Sequence, residues 1–385
     1  MNAANFIVEL NENQIAIKDT IREFSEKQIK QRIMEFDEAQ KFPIDIMEQL
    51  GELGFLGILI DEKYGGAGLG YTEYAIIVEE IAKIDPSVSL SVAAHNGLCT
   101  NHIFLFANEE QKQKYLPDLT SGKVIGAWGL TEPSSGSDSV AMQTTAIKEG
   151  DSYLLNGSKN FITHGATAQT VVVLAVTDKP KGKKGISAFI VEKGTPGFTS
   201  SKKENKLGMR ASETTQLVFE NCKIPASNLV GNEGEGFSQA MQVLDGGRIS
   251  IAALSVGLAQ GCLDASISYS KERKQFGKPI ADFQAIQFKL SEMATEIDAA
   301  RLMTFKAASL KDEKMPLGDS AAKAKLFASE VATRAANEAV QIFGGYGFTK
   351  DYPVEKFYRD VKLLTIGEGT SEVQRIVIAR NLLKD

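Results

Sequence analysis

Val171-Val172-Val173-Leu174-Ala175-Val176 is a run of six apolar residues, four of them β-branched valines. A run this short, followed by the turn-forming Lys179-Pro180-Lys181-Gly182, reads as a β-strand. Ile186–Val191 is a second such run and Leu217-Val218-Phe219 a third. Asn156-Gly157 and Thr195-Pro196-Gly197 supply further turns. Residues 121–232 therefore read as an antiparallel β domain.

The period changes on both sides of this block. Upstream, Ile17, Ile21 and Phe24 fall at helical spacing, as do Ile46, Leu50 and Leu53. Asn108 with Gln111 forms a capping box that opens another helix, and the loop Tyr64–Gly70 separates two more. Residues 1–120 read as a helical domain. Downstream, Ile286, Leu290, Met293, Ile297 and Ala300 repeat at helical spacing, and so do Ala324, Phe327, Val331, Ala335, Ala339 and Ile342. Helices of about 25–35 residues, turned at Gly277-Lys278-Pro279 and Met315-Pro316, make residues 233–385 a helical bundle. The order α, β, α places the chain in the α+β class and argues against a βαβ dinucleotide fold. Gly66-Ala67-Gly68-Leu69-Gly70 follows no strand, and Gly231–Gly236 lacks a Gly-Lys-Ser/Thr ending, so neither is a Rossmann or P-loop motif.

A length of 385 residues fits two or three domains or one large unit, and 43% hydrophobic content supports a sizeable core. The net charge of −6 excludes a global attraction for nucleic acid or anionic lipid. An anionic ligand must be held by local groups. Cys99, Cys222 and Cys262 are far apart and form no C-x-x-C pair, which argues against a disulfide framework or a metal site. Met1–Asn5 carries no secretory pattern, so the expected location is cytoplasmic. The apolar stretch Ile249–Leu263, broken by Ser250, Ser255, Gln260 and two glycines, is expected to be too short to span a bilayer.

Six segments can carry chemistry. Trp128-Gly129-Leu130-Thr131-Glu132-Pro133-Ser134-Ser135-Gly136-Ser137-Asp138 can offer backbone N–H groups, hydroxyls and an indole face to a flat polar ligand, or be an ordinary capped turn. Asn160-Phe161-Ile162-Thr163 alone is a strand start. Gly246-Gly247, between Asp245 and Arg248, costs a helix about 1.6–2 kcal/mol relative to alanine, so something approaches the backbone there, a ligand or a neighbouring helix. Arg273, near Phe276-Gly277 and Gln284, is a phosphate partner or a solvated charge. Gln341-Ile342-Phe343-Gly344-Gly345 is at least a glycine-stopped helix end. Glu368, between Gly367 and Gly369, stands before a helix that Ser371 and Gln374 can cap; it is a ligand-facing carboxylate or a solvated one.

Taken together, in this order and spacing, these segments resemble the acyl-CoA dehydrogenase family over essentially the whole chain. The resemblance rests on Thr131-Glu132-Pro133 with Gly136-Ser137-Asp138, on Arg273 with Phe276-Gly277, on Gln341–Gly347 and on Glu368-Gly369-Thr370-Ser371-Glu372. It implies an N-terminal helical domain, a middle β domain and a C-terminal four-helix bundle, assembled as a homotetramer. It implies FAD as cofactor, a short-chain acyl-CoA as substrate, and electron-transferring flavoprotein as the partner that takes the electrons. Glu368 would be the base that removes the α-proton. Residues 128–137, Phe161, Ile162 and Thr163 would line the flavin. Thr370, Ser371 and Glu372 would contact FAD again. Arg273, Gln284 and residues 341–345 would reach its nucleotide end, partly across a subunit interface. Ser137, Asp245 and Arg248 would touch the CoA portion and Gly369 the acyl end, with Gly246 and Gly247 also in the substrate site.

Two residues depart from the family pattern. Phe161 stands where many members carry tryptophan. Gly367 stands where several short-chain members carry tyrosine, which opens space near the acyl end. Ala94–Cys99 is more similar to branched short-chain members, whose base occupies the position of Gly247, where this chain has no carboxylate. The expected substrate is a straight or simply branched short acyl chain. An acyl-CoA oxidase of the same fold and a catalytically silent FAD- and CoA-binding protein are the rival readings. A hydrolase is disfavoured, because no G-x-S-x-G is present and His95, His102 and His164 have no recognisable nucleophile nearby.

Overall fold

The computed structural model describes residues 9–384. Helices come first: α1 (Glu12–Phe24), α2 (Ile33–Ala39), α3 (Ile44–Glu52), α4 (Tyr71–Ala82), α5 (Pro86–Ala94), α6 (Asn101–Phe106) and α7 (Glu109–Thr120). Strands follow: β1 (Gly126–Gly129), β2 (Thr145–Glu149), β3 (Ser152–Thr163), β4 (Thr170–Val176), β5 (Ile186–Glu192), β6 (Phe198–Ser200), β7 (Thr214–Pro225) and β8 (Leu229–Val230). The chain closes with α8 (Gly236–Glu272), a two-strand ribbon of β9 (Lys274–Gln275) and β10 (Lys278–Pro279), then α9 (Gln284–Asp312), α10 (Ser320–Phe343), α11 (Val354–Asp360) and α12 (Ser371–Leu382).

The main sheet runs β6-β7-β3-β2-β4-β5-β8. Most neighbours are antiparallel, as the turn chemistry predicts, with one difference. β1 runs parallel to β4, Gly126 opposite Thr170 through Gly129 opposite Val173, and β2 touches β4 in parallel at a single pair, so the sheet is mixed. β3 alternates buried and half-exposed residues, as a one-sided strand does, whereas all of β4 is buried. Val172, Leu174 and Val176 face the α6, α7 and α8 helices, while Val171, Val173 and Ala175 face Phe189, Leu217 and Phe219. That two-sided burial explains the unbroken apolar run from which the fold was read.

Helix α8 is the axis of the bundle, packed against α4, α5, α9 and α10. It has 37 residues, and an 18-residue window reaches a mean hydropathy of 1.3, so by length and composition it could cross a bilayer, contrary to the expectation from its interrupted sequence. Yet 83% of that window is buried inside the protein, which makes it a core helix. Close contact with α4 requires glycine at Gly257, where a Cβ would lie 2.3 Å from the Glu79 carbonyl oxygen. Leu53, expected on the buried stripe of α3, instead caps its C-terminus and is 47% exposed.

A buried ionic cluster ties the start of α5 to α11. Lys356 of α11 reaches Asp85, the N-cap of α5, at 3.1 Å and Asp360 at 2.6 Å. Asp360 also accepts from the Met209 N–H. All three ionic side chains are inaccessible to solvent, so each depends on the others for compensation.

Candidate active site

The Gly246-Gly247 pair explains itself in three dimensions. A Cβ on Gly246 would sit 2.6 Å from the Tyr71 hydroxyl of α4. A Cβ on Gly247 would sit 1.8 Å from Oε2 of Glu368. The Glu368 carboxylate thus occupies the space where the side chain of residue 247 would be. It gets there because Glu368 has φ +52 and Gly369 φ +93, a double left-handed turn that aims the side chain back at α8. A non-glycine residue in that region costs of order 1–3 kcal/mol, and such strain gathers at functional sites. Lys325 of α10 and Gln374 of α12 hold the turn, each donating to the Gly369 carbonyl at 2.9 Å.

The carboxylate's surroundings are unusual. Oε2 is shut off from solvent and has no hydrogen-bond partner among the described residues. Burial pushes the Glu368 carboxyl up to about 7, against the opposing pull of Lys325 and Arg248. Arg248 pairs with Asp245 at 2.6 Å, one turn earlier on the same helix. The Nε of Arg248, Oγ of Ser371 and Oε1 of Gln374 are also buried without partners among the described residues. Buried polar atoms are ordinarily paired, so four such atoms around Glu368 and the first turn of α12 mark a place built for a polar ligand. The cap of α12 is Thr370, whose hydroxyl accepts from the Val373 N–H, one residue earlier than the expected Ser371. That shift is what leaves the Ser371 hydroxyl unengaged.

The 128–138 loop corrects part of the sequence reading. Trp128 does not present an open face. It lies in the core, its indole N–H donating to Nδ1 of His102, whose Nε2 faces Gln239. Leu130 is buried too. The Glu132 carboxylate is consumed inside the loop by Lys159 at 2.6 Å and by the backbone N–H groups of Gln143 and Thr144. Burial opposes its charge, but Lys159 and these donors hold it below the usual carboxylate range. Ser135 bridges back to Glu132 through backbone hydrogen bonds, and its hydroxyl donates to the Asp138 carbonyl. What this framework displays outward is Pro133, Ser134, Gly136 and Ser137, with Thr131 half-buried and Gly129 seated against Lys159. Beside them Phe161 is 64% exposed and held at φ +57, while Ile162 is buried and Thr163 half-buried.

Arg273, Gln284 and residues 341–345 belong to the other end of the bundle. Arg273 lies twenty-five positions beyond Arg248 along α8, about 37 Å at 1.5 Å per residue. Arg273 lies over the Tyr346 ring, and Tyr269 stacks on Phe343. Ile342 and Phe343 are core residues, so their side chains support this end rather than face a ligand. Gln341, Gly344 and Gly345 are exposed. One chain therefore unites Glu368 with residues 245–248 and 369–372, and does not bring Arg273, Gln284 or Gln341 to them. The three histidines are all buried; burial lowers each to about 4, so they are neutral structural groups.

Sequence reasoning missed Lys325, Gln374 and Tyr71. Lys325 carried a signal: it stands on the stripe of Ala321 and Ala328, where a charge has no solvent to face. In sequence Gln374 reads only as a helix cap, and Tyr71 carries no signal.

Comparison with known proteins agrees with this geometry along the chain. The acyl-CoA dehydrogenase N-terminal, middle and C-terminal domain families match residues 11–123, 127–222 and 234–383. The short-chain specific acyl-CoA dehydrogenase of Clostridium acetobutylicum is 48% identical over 97% of this chain and 99% of its own. Among solved structures, butyryl-CoA dehydrogenase from Megasphaera elsdenii superposes with a TM-score of 0.96 at 46% identity, covering 98% of this chain and 99% of that one. A chain from a study of the electron transferring flavoprotein of Acidaminococcus fermentans gives 0.97 at 50% identity, covering 98% and 100%. A glutaryl-CoA dehydrogenase from Mycobacterium smegmatis in complex with FADH2 gives 0.93 at 31% identity, covering 97% and 95%. With all three domains matched and nearly the full length aligned, the chain belongs to the acyl-CoA dehydrogenase family.

Proposed function

We propose that this chain is an FAD-dependent acyl-CoA dehydrogenase that converts short acyl-CoA thioesters to trans-2-enoyl-CoA, with Glu368 as the base and electron-transferring flavoprotein as electron acceptor. The observation that carries the reading is the Glu368 carboxylate, seated against the bare backbone of Gly247 with one oxygen sealed and without a partner among the described residues. A carboxylate in water is too weak a base for a thioester α-proton. Desolvation strengthens it, which is the direction in which this site moves Glu368. The strained turn at Glu368 and Gly369 aims the base, and Arg248 and Lys325 keep enough positive charge nearby for it to ionise near neutral pH. Asp245 and Arg248 would meet the CoA portion of the ligand, and Gly367, whose Cβ would make only ordinary contact with Leu363, would leave the acyl end roomy.

The residues fit an FAD. Pro133, Ser134, Gly136 and Ser137 stand outward on a braced loop, Phe161 offers an aromatic face, and Ser371 supplies a buried hydroxyl without a partner among the described residues. With Thr131, Thr163, Thr370 and Glu372 they would hold it. FAD supplies the acceptor for the two electrons that leave the β-carbon. Since Arg273, Gln284, Gln341, Gly344 and Gly345 lie a helix length away, they would serve the cofactor of a second copy, which makes an oligomer, the homotetramer, part of the proposal. The cytoplasm is the proposed location.

The test is anaerobic flavin bleaching by butyryl-CoA in the holoenzyme. Glu368→Gln should retain FAD and bind substrate but bleach 10²–10⁴-fold more slowly, the usual worth of a positioned base. Near-normal bleaching would show that the base lies elsewhere. Peroxide formation under air in place of reduction of electron-transferring flavoprotein would assign the chain to the oxidases.

A further inference from the structure

We propose that Lys325 is a positioning residue for the reaction: it clamps the Gly369 carbonyl and so fixes the turn that aims Glu368, and it sets a buried positive charge beside that carboxylate. The proposal rests on Glu368 being the base.

Three observations support it. Lys325 is fully buried on α10, inside a bundle otherwise lined there by Ala321, Ala324 and Ala328. An ammonium in such a place is costly unless it is compensated. Its Nζ donates to the Gly369 carbonyl at 2.9 Å, and Gln374 donates to the same oxygen at the same distance. Two donors on one carbonyl hold the peptide immediately after the base, in a segment where Glu368 and Gly369 both have positive φ. Without them the turn has little reason to keep a strained shape. Lys325 also forms no salt bridge with any carboxylate among the described residues. Burial pulls the Lys325 ammonium down to about 8, with Glu368 opposing that pull, so at neutral pH it keeps a positive charge without a direct ionic partner among the described residues, and that charge acts on Glu368.

The charged and titratable groups around Glu368 are few. Lys325 comes from α10, Arg248 with Asp245 from α8, Glu372 from the start of α12, and Tyr74 from α4. Arg248 is partly neutralised by Asp245 at 2.6 Å. That leaves Lys325 as the cation whose removal should most change how easily Glu368 ionises. Gln374 shares the hydrogen-bonding role and carries no charge, so the two roles can be separated by substitution.

The experiment compares wild type, Lys325→Met, Gln374→Leu and Glu368→Gln as FAD-loaded enzymes. Two quantities are measured across acid to alkaline pH: the rate of anaerobic flavin bleaching by butyryl-CoA, and the infrared carboxyl band of Glu368, assigned by its loss in Glu368→Gln. In Lys325→Met the titration of that band should move up by about one pH unit or more, as expected when a nearby opposite charge is removed. Bleaching at neutral pH should fall at least tenfold and recover partly at alkaline pH. Gln374→Leu should slow bleaching and leave the titration in place. An unshifted carboxyl titration in Lys325→Met would overturn the proposal. If Lys325→Met does not fold or hold FAD, Lys325→Gln, which keeps a donor and drops the charge, faces the same two outcomes. Failure of the underlying reading looks different: Glu368→Gln would then bleach like wild type, whatever Lys325 does to the infrared band.

Discussion

Replacing Gly247 with alanine should slow this enzyme at least 10²-fold without making it less stable. The added Cβ would stand 1.8 Å from Oε2 and 2.9 Å from Cδ of Glu368, where ordinary contact begins near 3.4 Å. The carboxylate must therefore withdraw by about 1.5 Å or more, and a misplacement of about 1 Å already costs of order 10²-fold in rate. Withdrawal breaks no hydrogen bond of Oε2, which has none among the described residues. Meanwhile alanine in a helix interior is favoured over glycine by about 1 kcal/mol. Bleaching by butyryl-CoA should thus fall 10²-fold or more while the thermal midpoint of the holoenzyme holds or rises. Gly246→Ala is the counterpart: its Cβ would press on the Tyr71 hydroxyl, which accepts from Asn101, so it should lower the melting temperature. A Gly247→Ala enzyme that bleaches within a few-fold of wild type would refute the reasoning, because the working carboxylate would then not be using that space.

Three further outcomes are expected. Because burial raises Glu368 to about 7, its ionisation opposes folding: the stability its protonated form supports is present below the ordinary carboxyl range and is lost as pH rises through 7. Glu368→Gln should therefore melt higher than wild type at pH 8, with the gap closing in acid; a constant gap would contradict the shift. Lys356→Met strips the counter-charge from buried Asp85 and Asp360 and should cost about 3–5 kcal/mol in denaturant unfolding. A loss under about 1 kcal/mol would mean that water or protonation compensates the pair. Arg273→Ala should weaken FAD retention and loosen the oligomer on sedimentation, with bleaching unchanged at saturating FAD; unaltered FAD affinity and sedimentation would count against a cross-subunit contact.

Much of this architecture was legible in the sequence because it rests on local pattern. The valine run of β4 announced a strand, and the three- and four-residue spacings of α9 and α10 announced helices. The glycine pair on α8 announced a close approach, and Tyr71 at Gly246 and Glu368 at Gly247 proved to be what approaches. What stayed hidden depends on partners distant in sequence. Nothing local makes β1 parallel to β4, since that follows from where α7 delivers the chain. Trp128 looked like a ligand platform until His102, twenty-six residues earlier, claimed its N–H. Lys325 and Gly369 are forty-four residues apart, and only packing of α10 against α12 joins them.

The same long reach governs how the protein can be made. Asp85 caps α5 and is buried, yet its cation, Lys356, lies 271 residues further along. The first N–H groups of α4 are capped by Asp312, some 240 residues away. While the ribosome is still translating the sheet, the leading helices carry a carboxylate without a counter-ion and a helix start without its cap. They can collapse at that stage but cannot lock. The final fold closes when the last quarter of the chain arrives, and Glu368 arrives with it, so a prematurely released chain has neither a finished core nor a base.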